Sequence, residues 1–585
     1  MDNQGATGGS PNERRWSRRR PLGARLRSAI VAVVAALAIA TPAVAPASAS
    51  AGLLGPTTKV IVTGPGVVGL VTGVGGQILT NLPLINGVLA DVPQATVGLL
   101  GALPGVVVTP DVPVSVAAAT SGYAATASRS PADVFPTVSG ADQLVANGQT
   151  GAGVGVAVID TGITNLPDFA GRLVDGVDLS GENNPFHDSY GHGTFVAGLI
   201  AGNGASSGGQ YVGEAPGANV ISVKVAGASG STDLASVILG VSWVVDHRVS
   251  DHIGVVNMSL GFQPFTSTVI NPLDMAVEAA WRNGVAVVTS AGNAGPFNGS
   301  IVSPGDDPMV ITVGALDDNG TVRVNDDSVG TFSSVGPTNP DGWFKPDLVA
   351  SGRSVVSLRA PGSTIDTSYP SARVGAGNFV GSGTSFSAAV TSGAAALVMQ
   401  DPSVFANPNA LKARLLGAAQ PGPLGNPFVD GHGSLNAYWA AQASNVTLNQ
   451  VAPIVVTLPG TTVSLETAWS SSSWNGGTWN GSVWNGGTWN GGTWNGGTWN
   501  GSLWNGGTWN GGTWNGTAWT GGTWNGAAWN GGTWNGGTWN GGTWNGTAWN
   551  GGTWNGGTWN GAVWNGGTWN GGTWNGGTWN GSQWA

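Results

Sequence analysis

The chain contains no cysteine. Disulfide staples, thiolate metal sites and a cysteine nucleophile are therefore excluded. Packing, with hard cations on oxygen ligands, is what remains to hold an exported chain together. Charge is scarce too: Asp, Glu, Lys and Arg make up 9% of 585 residues. The scarcity is uneven. After Glu466 no charged side chain occurs, whereas the remainder has an ordinary globular balance and enough length to bury a large core. Beyond residue 50 the chain has 13 basic and 28 acidic residues, a net charge of −15, which argues against nucleic acid as a partner.

What is present begins with a targeting pattern. Arg14, Arg15, Arg18, Arg19, Arg20, Arg25 and Arg27 precede an apolar run, Ala29 to Ala40, that is short for a membrane span. Ala47-Ser48-Ala49 then offers a cleavage site, so residues 1–50 read as a bacterial-type export signal and the mature chain as secreted. Residues 57–118 are apolar and strand-like, from "TTKVIVTG" to "LPGVVVTPDV", with a short helical candidate in "QATVGLLGAL"; they suit a small α+β module. Residues 119–131 are a small-residue linker and an accessible processing zone. From 132 to 445, β-branched runs ("GVGVAVID", "NVISVKV", "HIGVVNMSL", "GVAVVTSAG", "VITVGAL") alternate with helical candidates such as "PLDMAVEAAWRNG". That alternation predicts an α/β domain whose mainly parallel sheet is covered on both faces, with ligands at the carboxyl ends of its strands. Residues 446–468 form a β-like linker, and 469–585 a repeat tail.

Three of these positions carry reactive groups. "VAVIDTGI" ends an apolar strand on Asp160, and "YGHGTFVAGLIAG" and "GTSFSAAVTSG" place His192 and Ser385 at glycine-flanked openings of small-residue helices. A serine hydroxyl is a weak nucleophile until a base takes its proton, and the base needs a third group to orient it. An acid, a histidine and a serine on such termini can fill those roles. In "AVVTSAGNAGP", Asn293 sits in a glycine-flanked turn after a strand, where its amide can donate to a developing oxyanion. The N–H of Ser385 at a helix N-terminus is a second donor.

With "VIDTGI", "GHGTFVAG", "NMSLG", "SAGN", "KPDLVASG" and "GTSFSAA" in this order over residues 156–397, the chain resembles the subtilisin-like serine peptidases. The resemblance implies a three-layer fold and hydrolysis of peptide bonds through an acyl-enzyme. It assigns Asp160 as orienting acid, His192 as base, Ser385 as nucleophile and Asn293 as oxyanion donor, and makes Ser259, Leu260 and Gly261 the strand edge that pairs with a polypeptide substrate. It further implies that 57–118 is an inhibitory propeptide, so that the chain is made as a self-inhibited precursor. It requires no cofactor but admits a structural calcium, with Asp168 in "LPDF" at a position that often ligates it; the residues alone read Asp168 as an exposed turn. Phe195 stands where the family usually has a second histidine, and Phe386-Ser387-Ala388-Ala389-Val390 where it usually has Met-Ala-x-Pro-His, which puts tight positioning of Ser385 in question. A reading from another class is a surface- or glycan-binding protein carrying an inactive protease scaffold.

From Trp469 to Trp584 every fifth residue is tryptophan, usually in Trp-Asn-Gly-Gly-Thr. An odd period cannot keep one residue on one face of a flat strand. A chain that turns once per pentad can wind into a solenoid, and the spacing of irregular units, as from Trp479 to Trp499 to Trp519, suggests four pentads per coil. A flexible tail, or one that orders only on a surface, fits the composition as well. Tryptophan stacks on sugars, which points to cell wall or glycan as the tail's partner.

Overall fold

In the computed structural model, residues 55–116 and 134–443 are described in full, and beyond residue 453 the backbone of the strands alone. The export signal and the 119–131 processing zone lie outside the described residues.

Five apolar runs become the centre of one eight-stranded sheet. Its order is Ser328–Val329, Ile311–Asp317, Ala286–Ser290, Ile253–Met258, Gly155–Asp160, Asn219–Lys224 and Leu173–Asp178, with Leu348–Ser351 also paired to Ile311–Asp317. All pairings are parallel except that of Ser328–Val329. Continuous β-branched sequence suits this position, since both faces are covered: Gly155–Asp160 is buried along its whole length. The expected mainly parallel α/β fold is what forms. The first strand of this domain, Gly155–Asp160, lies between two later ones, Asn219–Lys224 and Ile253–Met258. Connections therefore leave it in both directions, and a crevice opens at its carboxyl end, at Asp160.

The helix Thr384–Val398 is buried at every residue and packs on the helix His192–Ala201 and on the strands Ile253–Met258, Ala286–Ser290 and Ile311–Asp317. Its run of Ser, Ala and Gly is what lets it pass so close. A Cβ on Gly393 would collide with the Glu214 Cβ.

Residues 57–110 form a separate antiparallel sheet in the order Gln77–Leu82, Gly87–Pro93, Thr57–Thr63, Val107–Pro110, with helices Val67–Gly73 and Val97–Gly101 on one face. The chain order is that of a split βαβ module. Val60, Val62, Val71, Val88 and Leu100 form its own core, while Ile61, Leu82, Ile85 and Leu89 bury into the core of the larger domain.

In the 446–468 linker, Ile454–Val456 pairs antiparallel with Ser464–Glu466. Strands from Ser473 onward pair in parallel, tryptophan opposite tryptophan in register. The expectation of four pentads per coil is corrected. Only the first pairings span four pentads, as Trp474 with Trp494. From Thr493 the partner lies three pentads further on, as Trp494 with Trp509.

Candidate active site

Asp160 ends its strand inside the crevice, and the helix His192–Ala201 begins beside it. His192 Nδ1 lies 2.9 Å from each Asp160 oxygen, and both residues are fully buried. The Thr161 N–H donates to Asp160 Oδ1 at 2.8 Å, fixing the carboxylate. The closeness depends on Gly193, where a Cβ would collide with the Gly162 carbonyl oxygen. His192 Nε2 is buried and makes no hydrogen bond among the described residues.

Ser385 opens the central helix one residue after Thr384. Its Oγ lies 3.4 Å from the Ser259 carbonyl oxygen, and its own carbonyl accepts from Ser259 Oγ at 2.8 Å. The next residue, Phe386, places its ring 5.7 Å from that of His192 and 4.4 Å from that of Phe195. The two departures from the family pattern thus pack against each other. With the helix wholly buried, this contact fixes its start without the proline. Asn293 Oδ1 accepts from both the N–H and the Oγ1 of Thr384, at 3.0 and 3.1 Å. Those bonds hold the amide beside the start of the helix.

Leu260 and Gly261 form a short strand whose partner is the chain itself. Pro113–Val116 lies between two strands of the larger domain, with Val116 opposite Leu260, Ser115 opposite Gly261, and Pro113 to Ser115 opposite Asp233 to Ser231. Val114 is fully buried there. The Ser259 side chain is buried, donating to the Ser385 carbonyl at 2.8 Å and accepting from Asn257 Nδ2 at 2.9 Å, so it braces the serine.

Asp168 is corrected. It is fully buried rather than an exposed turn, and its carboxylate accepts from the N–H and hydroxyl of Ser206.

Sequence reasoning missed Asp188. Buried beneath the start of the His192 helix, it accepts from the N–H groups of Gly191 and Thr194 at 2.7 and 2.8 Å and from Thr161 Oγ1 at 2.8 Å. Burial pushes its carboxyl above the usual range, and these bonds oppose the shift. An acid one helical turn before a glycine-flanked histidine was the available signal.

A buried carboxylate–imidazole pair lies at the sheet's switch point, and the residue after Ser385, at the head of a buried helix, packs its ring on that imidazole. Residues 151–438 match the model of the Subtilase family. Over 313 residues the chain is 43% identical to serine protease AprX of Bacillus subtilis, covering 52% of this chain and 70% of that protein. It is 33% identical over 293 residues to a thermostable alkaline protease of Halalkalibacterium halodurans, covering 50% and 68%. Subtilisin NAT of Bacillus subtilis subsp. natto is 34% identical over 306 residues, covering 52% and 69%. The chain belongs to the subtilase family and is a subtilisin-type serine endopeptidase.

Proposed function

We propose that the chain is a secreted endopeptidase, made as a precursor that blocks its own groove. Ser385 Oγ attacks the scissile carbonyl carbon while His192 Nε2 takes its proton. Asp160 holds the Nδ1–H and stabilises the imidazolium that forms. The Asn293 amide and the Ser385 N–H bind the oxyanion. The acyl-enzyme forms as His192 returns the proton to the leaving amine, and water attacks by the same route. The observation that carries this reading is the Asp160–His192 pair, at 2.9 Å, with Nε2 left without a partner among the described residues.

Pro113–Val116 supports the precursor reading, since it occupies the groove as substrate backbone would. Its register runs toward Ser259, which touches Ser385, so the chain leaves the groove past Val116 toward the linker in which the first cut falls. The first 50 residues support export. For the tail we infer attachment to cell-wall glycan, from its tryptophan density and lack of charge.

The test is incubation of the purified precursor beside Ser385→Ala. The wild type should react with a fluorophosphonate and yield a new N-terminus within residues 117–131. Equal cleavage in Ser385→Ala, or a wild type that never labels, would refute the mechanism. Retention of the tail on cell-wall polysaccharide is a separate measurement, and no retention ends the glycan reading.

A further inference from the structure

Four buried carboxyl groups take no part in the mechanism. Asp274 and Glu278 stand one turn apart on the helix Pro272–Arg282, and Asp306 and Asp307 lie in the loop that follows Ser303. None is more than 6% exposed. Both oxygens of Asp306, and one oxygen each of Asp274, Glu278 and Asp307, have no hydrogen-bond partner among the described residues. A carboxylate buried without partners is costly, so such a group keeps its proton instead.

The cations nearby do not balance these acids. Arg282 pairs with Glu278 at 3.1 Å, while Lys345 and Lys412 both pair with Asp347, at 2.6 and 3.1 Å. Asp341 adds a negative charge that acts on Asp306. His432, beside Asp347 and Lys412, is held below its usual pKa by burial and adds no charge at neutral pH. Fully ionised, six carboxylates would face three cations. Burial, then the charges of Asp306 and Asp307, push the Asp274 carboxyl well above its ordinary range. Burial and the charge of Asp307 push Glu278 up to about 9 and Asp306 up to about 8. Burial raises Asp307 only to about 6, since the Met309 N–H, Lys345 and Lys412 pull it back.

The acids reach the groove through Ser303. Its Oγ donates to Asp274 Oδ1 at 3.1 Å and accepts from Asn271 Nδ2 at 2.9 Å. Its backbone exchanges two bonds with Phe262, at 2.9 and 3.3 Å. Phe262 follows Gly261, which pairs with Ser115 of the groove strand. We propose that the four carboxyls are a proton-operated support for the substrate strand. Protonated, they hold Ser303 and through it Leu260–Gly261; stripped of protons at alkaline pH, their like charges force them apart and substrate binding weakens. The link to substrate rests on the protease reading above. Unfolded, these carboxyls titrate near pH 4. Their folded values being higher, the stability they contribute is complete below about pH 4 and is lost as pH rises toward 9. Lys412, lowered to about 8 by burial, acts in the opposite sense and only above that pH.

The test uses the self-processed enzyme, blocked with a fluorophosphonate for unfolding and free for kinetics. The wild-type unfolding constant should grow about tenfold per pH unit for each proton held only by the folded state. Asp306→Asn and Glu278→Gln keep the shape and remove a charge. Each should lower that growth by about tenfold per unit between about pH 5 and pH 8. With a peptide p-nitroanilide, KM should rise from pH 7 to pH 9 more steeply in wild type than in either variant, while kcat at pH 9 is the same in all three. Unfolding curves of wild type and variants that stay parallel overturn the proposal. So does a wild-type KM that is flat from pH 7 to pH 9, whatever stability does. If one variant does not fold, the other and the wild-type profile decide. A wild type that never labels refutes the protease reading instead, and its unfolding slope still reports the protons, so the two failures are distinguishable.

Discussion

Asn293 has two jobs that one substitution disturbs together. In the proposed mechanism its Nδ2 is an oxyanion donor, while its Oδ1 accepts two donors of Thr384. In this class of enzyme the loss of one such oxyanion donor slows turnover by roughly 10²–10³. Leaving the Thr384 donors unpaired adds a stability cost of about 1–3 kcal/mol. Asn293→Ala should therefore lower both kcat and Tm, whereas Asn293→Asp, which keeps the acceptor, should lower kcat with the smaller loss of Tm. Equal melting of the two variants would remove the second job. Gly193 has a simpler constraint. Because a Cβ would meet the Gly162 carbonyl, Gly193→Ala must push His192 away from Asp160. Overpacking of this kind costs about 1–3 kcal/mol, and the activity loss should exceed the stability loss. At this scale the candidate reacting residues were legible because each lies within two residues of a glycine, at the end or opening of a distinct run. The bracing residues were not, since Ser259 and Asp188 act through partners far away in sequence.

The helix carrying His192 owes its position to Asp188. Three donors converge on that carboxylate, and Thr161 Oγ1, one of them, accepts the Gly193 N–H at 2.9 Å. Asp188→Ala leaves these donors unpaired at a cost of about 1–3 kcal/mol, and kcat/KM should fall further than denaturant midpoints indicate, because the helix start carries the base. A variant with lost stability but wild-type kcat/KM would show that Asp188 only caps. Among elements, the continuous apolar strands were legible, since a strand buried on both faces has little room for polar residues. Leu173–Asp178 was not read as a strand. It is only half-buried, at the sheet's edge, and mixes Asp and Gly with its apolar residues. The hairpin of Val355–Leu358 with Asn378–Gly381 was missed as well, because its pairing is not local. In the tail, near-identical pentads stack like on like in any whole number per coil, so composition could not choose between three and four.

Across the whole molecule, the segment before His192 is braced by an element from far along the chain. In the helix Thr364–Ser368 the N–H groups of Thr364 and Ile365 donate to the carbonyls of Ser189 and Tyr190, at 3.0 and 2.9 Å. That helix is itself pinned through Asp366, which accepts from Arg359 Nη2 at 2.9 Å and Arg373 Nε at 2.7 Å. The bond from Arg359 is the main cause that holds the Asp366 carboxyl well below the usual carboxylate range. The folded pKa lies below the unfolded one, near 3.9. Below that unfolded value the unfolded chain binds the proton first, so the pair's contribution is complete above about pH 4 and fades as pH falls through the folded value. Asp366→Asn should therefore cost about 1–3 kcal/mol at neutral pH, and its stability curve should meet that of wild type at strongly acid pH. Activity should decline on the same acid limb, since loosening Thr364–Ser368 frees Ser189 and Tyr190 just ahead of the base. Two Tm curves that stay parallel from pH 7 to pH 2 would show that the carboxylate is not what secures this brace.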